Sequence, residues 1–416
     1  MKGDADLERG LRRWMTGAAP SSPPERLLAG VQRGIRAVDQ RPRWLTLVLV
    51  PTMRRGRVVG VGRQSVRATA WILAGALVLA ALAGGIVVGG RLLFPATVRP
   101  ASANGLIAFD AGYDIFVAHG DGSGRRALTT DSNADTDPTW SPDGSHLAFW
   151  SHQGRSGPLS LVLIAADGSG RREIHGTDAI AFLGSSGGHA NLSWDPRTDG
   201  RLATIGTVAG RGTPVLVDLA SGALTPVDVG GLDVFTISWS PDGSHIALVG
   251  DGSNGRSVRI IAPDGSQSMT ARSEAKGDAD YTSVAWSPDG TRLVYTRAGS
   301  SGTHDVFALD VATGAETLIA TGGEYFWPRY SPDGRSIAYA QGVTPTLWVA
   351  NADGSARRVI ASGLASEDIT WSPDGTQILA FSPDLTTLDV VPVNGGPIVS
   401  IDSLGNVGAP SWQRLP

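Results

Sequence analysis

Residues 139–176 read TWSPDGSHLAFWSHQGRSGPLSLVLIAADGSGRREIHG. The tetrad Ser141-Pro142-Asp143-Gly144 carries a complete turn chemistry. Proline presets φ, aspartate bonds its own backbone, and glycine takes positive φ without steric cost. Set between Trp140 and the apolar run HLAFW (146–150), the tetrad instructs a hairpin. A second apolar run, LVLIA (161–165), leads to the Asp167-Gly168 turn and a closing strand, RREIHG (171–176). The stretch therefore predicts a four-stranded antiparallel unit.

The same grammar recurs. WSPDG begins at Trp140, Trp239, Trp286 and Trp371, YSPDG at Tyr330, and the looser WDPRTDG at Trp194. Trp412 follows APS and ends without a turn. After each mark comes a second strand: HLAFW, RLATI, HIALV, RLVYT, SIAYA or QILAF. An unpaired copy, GLIAFD, stands at 105–110. Gly turns follow in phase, among them Asp121-Gly122, Asp264-Gly265 and Asp353-Gly354. The marks stand 41 to 54 residues apart, in the range of one four-stranded propeller blade. The Trp at the end of each leading strand is large enough to pack between blades.

The first copy lacks a leading strand, and the last is only a leading strand. Joined, they form one blade from both termini, which removes free sheet edges. Six complete units plus this composite predict an all-β, seven-bladed β-propeller over residues 104–416. An irregular stretch over 176–235 leaves six or eight blades as the alternative counts. In these strings the chain resembles the TolB-like, WD40-like (PD40) propeller repeats. The resemblance spans about 104–416 and implies an interaction platform. TolB itself is similar only in its propeller; it is periplasmic and six-bladed, with a different N-terminal domain. Relatives that are peptidases carry a separate α/β-hydrolase domain, and no residues remain here to build one.

Composition divides the chain. Residues 1–67 hold 14 Lys/Arg against 5 Asp/Glu, a balance of +9, while the remainder holds 21 against 34, a balance of −13. An acidic propeller argues against nucleic acid as a partner, because phosphate neutralisation needs clustered Lys and Arg. There is no cysteine, which excludes disulfides, thiolate metal sites and a cysteine nucleophile. Between the two parts, residues 68–90 (ATAWILAGALVLAALAGGIVVGG) carry no charge. As a helix this run reaches ~34 Å, enough for a ~30 Å hydrocarbon core. Arg54, Arg55, Arg57, Arg63 and Arg67 crowd its N-terminal side, against Arg91 and Arg99 beyond it. The positive-inside rule then predicts a single-pass membrane helix with a cytoplasmic N-terminus, a linker over 91–103 and an extracytoplasmic propeller.

Within the head, Leu7, Leu11, Trp14 and Met15 fall at helical spacing, as do Leu27, Leu28, Val31 and Ile35 after a Ser22-Pro23 helix start. Two short amphipathic helices are expected over residues 1–67. They are either lipid-attracted or a docking segment for a cytoplasmic partner. This layout resembles that of membrane-bound anti-sigma factors, although residues 1–67 lack the His and paired Cys of the zinc type.

Function is expected on the face where loops join the blades. Asp135, Asp137, Asp233, Asp280, Glu324, Glu367 and Asp368 stand just ahead of expected inner strands, His189 fills the matching place of one blade, and Tyr281, Tyr325 and Phe326 accompany them. Such an acidic, partly aromatic mouth suits a protein partner with a basic segment, or a cation. Any single acid is read first as part of the repeat's own hydrogen bonding, and only the cluster suggests a mouth. Asp131, Asp135 and Asp137 alternate as calcium ligands sometimes do, but the glycine and terminal glutamate of an EF-hand loop are missing. No G-x-S-x-G, H-E-x-x-H or P-loop string occurs. The expectation is a non-catalytic binding or sensing module without cofactor or metal. Its alternatives are a transmembrane regulator acting through residues 1–67, and a carbohydrate-active or hydrolytic enzyme using the acidic mouth.

Overall fold

The computed structural model describes residues 103–415, apart from 155–156, 184–190, 267, 274–278, 300–302, 324, 343–345, 365–368, 385 and 403–409. The head and the span expected over 1–90 lie outside the described residues, as does nearly all of the linker. Among the described residues no helix is long and apolar enough to cross a membrane.

The described residues form seven antiparallel sheets. Blade 1 is the composite: Ser411–Leu415 pairs with Ala103–Ala111, which is followed by Asp114–Ala118 and Arg126–Ala127. Blade 2 runs Ala134–Trp140, His146–His152, Leu159–Ala165 and Arg172–His175. Blades 4 to 7 repeat this order, with leading strands Asp233–Trp239, Ala279–Trp286, Tyr325–Tyr330 and Thr370–Trp371.

Blade 3 accounts for the irregular sequence over 176–235. Its leading strand is split into Ala181–Phe182 and Ser193–Trp194, both paired to Arg201–Val208. Phe182 sits opposite Gly206 and Trp194 opposite Leu202, so the two pieces share one edge. The blade count therefore stays at seven.

Second strands are apolar at consecutive positions because both of their faces are covered. Ala148 and Trp150 face blade 3, while Leu147 and Phe149 face blade 1. Successive strand residues point to opposite sides, so a sheet packed on both sides needs apolar residues at every position. Seven buried clusters result, each shared by two neighbouring blades, and the cluster joining blades 7 and 1 closes the ring. The aromatic residue ending each leading strand wedges against the preceding blade. The indole N–H groups of Trp194, Trp286 and Trp371 donate to the Thr139, Ser238 and Arg329 carbonyls there, at 3.3, 3.0 and 3.1 Å.

Closure is reinforced at the termini. Ile107 pairs with Trp412 and Ala108 with Ser411, beside a bulge between Asn104 and Ile107. The buried Gln413 amide accepts from the Leu106 N–H at 2.9 Å and donates to the Gly144 carbonyl at 2.7 Å. One side chain thus ties the last strand to the first and to the turn of blade 2. The paired arginines after the Gly turns act between blades as well. Arg126 donates to the Ala166 and Asp167 carbonyls, Arg172 to Ala220 and Arg358 to Val393, each on the next blade. The first arginine of each pair lies over aromatic rings: Arg125 over Phe116, Arg171 over Phe149 and Arg357 over Trp348.

Candidate binding site

The Ser-Pro-Asp-Gly turns gather on one face of the ring. In blade 2, Asp143 Oδ1 accepts from Ser141 Oγ, Ser145 N and Ser145 Oγ at 2.6, 2.9 and 2.7 Å. The Ser141 hydroxyl in turn accepts from the His146 N–H at 3.0 Å. The same bonds recur around Asp242, Asp289 and Asp374. Burial raises the pKa of Asp143, but these donors outweigh it and hold the group down at about 2. Asp199, from the turn of blade 3, is pushed the other way by burial and by the neighbouring Asp143. The turn aspartates are therefore occupied as turn formers.

Blade 3 carries Asp195 where the other turns carry serine. Its carboxylate is buried and ion-paired to Arg197 at 3.2 Å and to Arg201 at 2.5 Å. Burial raises its pKa, but the arginine hydrogen bonds prevail and lower it. Arg201 also lies 5.1 Å from the Trp239 ring centroid, which couples the pair to blade 4.

Inside this ring of turns lies an axial cavity of about 380 Å³, to which all seven blades contribute. Pro142, Pro196, Pro241, Pro288, Pro332 and Pro373 form its rim, and Arg414 takes the equivalent place in blade 1. Trp140, Trp286, Tyr330, Trp371 and Trp412 contribute to its wall. Between them, Arg329, Thr370 and Ser411 reach the cavity from the residue just before the aromatic. The leading strands are therefore the innermost.

The opposite ends of these inner strands hold the acids expected to form a mouth. The strands begin earlier than expected, so Asp135, Asp137, Asp233, Asp280, Tyr281, Tyr325 and Phe326 lie within them rather than ahead of them. Asp135 is fully buried and accepts from Ser151 Oγ at 2.5 Å and from Arg171 Nη1 at 3.2 Å. Asp137 is buried in a left-handed conformation (φ 56°), and its N–H donates to Asp110 at 3.4 Å. Asp233 is exposed and accepts from the Gly212 N–H of blade 3 at 2.7 Å. These three acids serve the propeller's own hydrogen bonding. His189, Glu324, Glu367 and Asp368 lie outside the described residues. Among the described residues no three His, Asp or Glu side chains converge as metal ligands would. Asp131, offered by its spacing as a calcium ligand, faces Arg171 at 3.6 Å instead.

The sequence reading overlooked the axial cavity and Arg329. A signal was present: aligned on their turns, the repeats read PTW, LSW, ISW, VAW, PRY, ITW and PSW, and only one carries a large charged residue before the aromatic.

A family model described as the TolB β-propeller domain matches residues 193–415. The chain belongs to this family. Solved structures agree at the level of fold. TolB from Acinetobacter baumannii aligns with a TM-score of 0.50 at 15% identity, covering 79% of this chain and 72% of that one. An oligogalacturonate lyase from Vibrio parahaemolyticus aligns at 0.53 and 14% identity, covering 69% and 89%. A functionally unknown protein from Desulfotomaculum acetoxidans aligns at 0.53 and 15% identity, covering 76% and 100%. No curated protein sequence matches the chain. The TolB-like fold is thus shared by a lyase as well as by TolB, and fold alone does not fix an activity.

Proposed function

We propose that this TolB-like propeller is a membrane-anchored, extracytoplasmic and non-catalytic binding or sensing module. The observation that carries the reading is the closed ring itself. Seven blades locked by shared cores present a rigid face whose axial recess draws on every blade. A preformed concave surface of this kind is suited to recognition, because little ordering is needed on binding. The uncharged run over 68–90 and the basic residues before it support the anchor and its orientation. A protein partner on the propeller, and a cytoplasmic one on residues 1–67, belong to the same proposal.

The chain has no cysteine, so a single reporter thiol tests the topology. Ser266 is exposed in a blade 4 turn. In Ser266→Cys, a membrane-impermeant maleimide should label the protein in intact cells. Labelling only after lysis would place the propeller inside and overturn the anchor orientation. Affinity purification of the full chain from solubilised membranes should retain a stoichiometric protein partner. Recovery of the chain alone counts against the partner.

A further inference from the structure

We propose that the axial cavity on the turn face is a carboxylate-binding site, taking an anionic group on an apolar body. The proposal rests on the binding-module reading and names a ligand class for it. The argument comes from how the seven repeats depart from one another. Each inner strand places one residue just before its terminal aromatic: Ala, Ser or Thr in six blades, and Arg329 in blade 6. The small residues are in keeping with the crowding at the axis. Ser193 and Ser411 use their hydroxyls to accept from the backbone N–H groups of Trp239 and Trp140 in the next blade, at 2.9 and 3.2 Å. Arg329 departs from this role and lines the cavity, with its Nη1 3.4 Å from the Pro328 carbonyl.

The rim shows the same kind of departure. Six blades present proline there, and blade 1 presents Arg414, which is exposed. Among the described residues that line the cavity, the charged ones are two arginines, one on each level. The remaining wall is proline and aromatic. Guanidinium groups bind carboxylates through charge-assisted, often bidentate hydrogen bonds, and a partly enclosed site strengthens them. The volume, about 380 Å³, falls at the lower end of small-ligand pockets and suits an aromatic acid or the last two residues of a peptide.

Both sources share the carboxylate, and calorimetry on the detergent-solubilised full chain separates them. The probes are N-acetyl-Ala-Phe with a free carboxylate, its C-terminal amide, and benzoate with benzamide as its neutral match. At least one acid should bind with Kd below about 1 mM and at least ~10-fold more tightly than its amide. Tighter binding of the peptide acid assigns the site to chain termini; tighter binding of benzoate assigns it to small acids. Arg329→Thr restores the residue type of the other blades, so it should keep the fold and lose the preference for acid over amide. Arg329→Lys should retain part of that preference, and Arg414→Ala should reduce it. Equal binding of acid and amide, no binding of either acid up to about 5 mM, or an unchanged preference in a folded Arg329→Thr protein would overturn the proposal. Such a failure leaves the partner purification untouched, so the two readings fail separately.

Discussion

Gln413→Ala tests whether the last strand locks the ring. Gln413 is only 8% exposed, and its side chain satisfies two groups at once, the Leu106 N–H and the Gly144 carbonyl. Removing the amide leaves both without a partner where water has little access. An unmade buried hydrogen bond costs ~1–3 kcal/mol, so two predict a loss of about 2–4 kcal/mol, allowing for the partial burial of the Leu106 bond. Unfolding entropy is ~2.1 cal/mol/K per residue, which over roughly 310 residues converts that loss to a fall in Tm of about 3–6 °C. Thermal unfolding followed by far-UV circular dichroism measures it. Gln413→Glu keeps the acceptor for Leu106 but sets a carboxylate against the Gly144 carbonyl, so it should be at least as damaging. Arg335→Ala is the control, since that side chain is 88% exposed and its contact with Asp333 is 4.0 Å. Its expected change is within ~0.5 kcal/mol. A Gln413→Ala protein melting within 1 °C of the parent would refute the idea that this side chain fastens the ring.

Gly144→Ala and Gly375→Ala should differ although both glycines have φ near 70°, because an added Cβ would sit 2.4 Å from the Arg414 carbonyl at Gly144 but 3.5 Å from Pro332 at Gly375. Both lose ~1–2 kcal/mol to backbone strain, and Gly144→Ala should lose more by displacing the closing strand, as urea titration would read. Asp195→Asn should cost roughly 2–4 kcal/mol in the same assay, because it removes the buried countercharge of Arg197 and Arg201 and leaves their hydrogen bonds with a weaker acceptor. A loss below ~0.5 kcal/mol would show the pair to be idle. Acid should weaken the turns: with its folded pKa about 2 against an ordinary 3.8, Asp143 contributes stability that is full above pH 4 and disappears as pH falls toward 2. Asp199 is shifted up, so its contribution is full below its ordinary pKa and is lost as pH rises through the raised value. Asp199→Asn should therefore raise Tm, relative to the parent, more at pH 7 than at pH 3; a uniform change across a pH series of melts would sink the coupling.

What the sequence by itself determined is the blade. The order of the strands, their turns, an expectation of seven blades and the closure through Trp412 were legible, because turn chemistry is local and the repeat shows it many times over. Even the Ser and Asp of each turn follow from bonds spanning a few residues, as Asp143 with Ser141 and Ser145 shows. The acids expected to form a mouth illustrate the limit of that legibility. Asp135 is conspicuous in sequence, yet its carboxylate is taken up by Ser151 and Arg171, sixteen and thirty-six residues away. Only the tertiary structure decided which acids are consumed in this way. It alone brought Arg329 and Arg414 to one cavity from blades 6 and 1, and showed that the irregular third blade is a split strand rather than a missing or added one. The physical reason is that a repeat specifies a unit, whereas the axis exists only once the seventh interface has closed. Which side chains face that axis depends on the twist and register of every blade together.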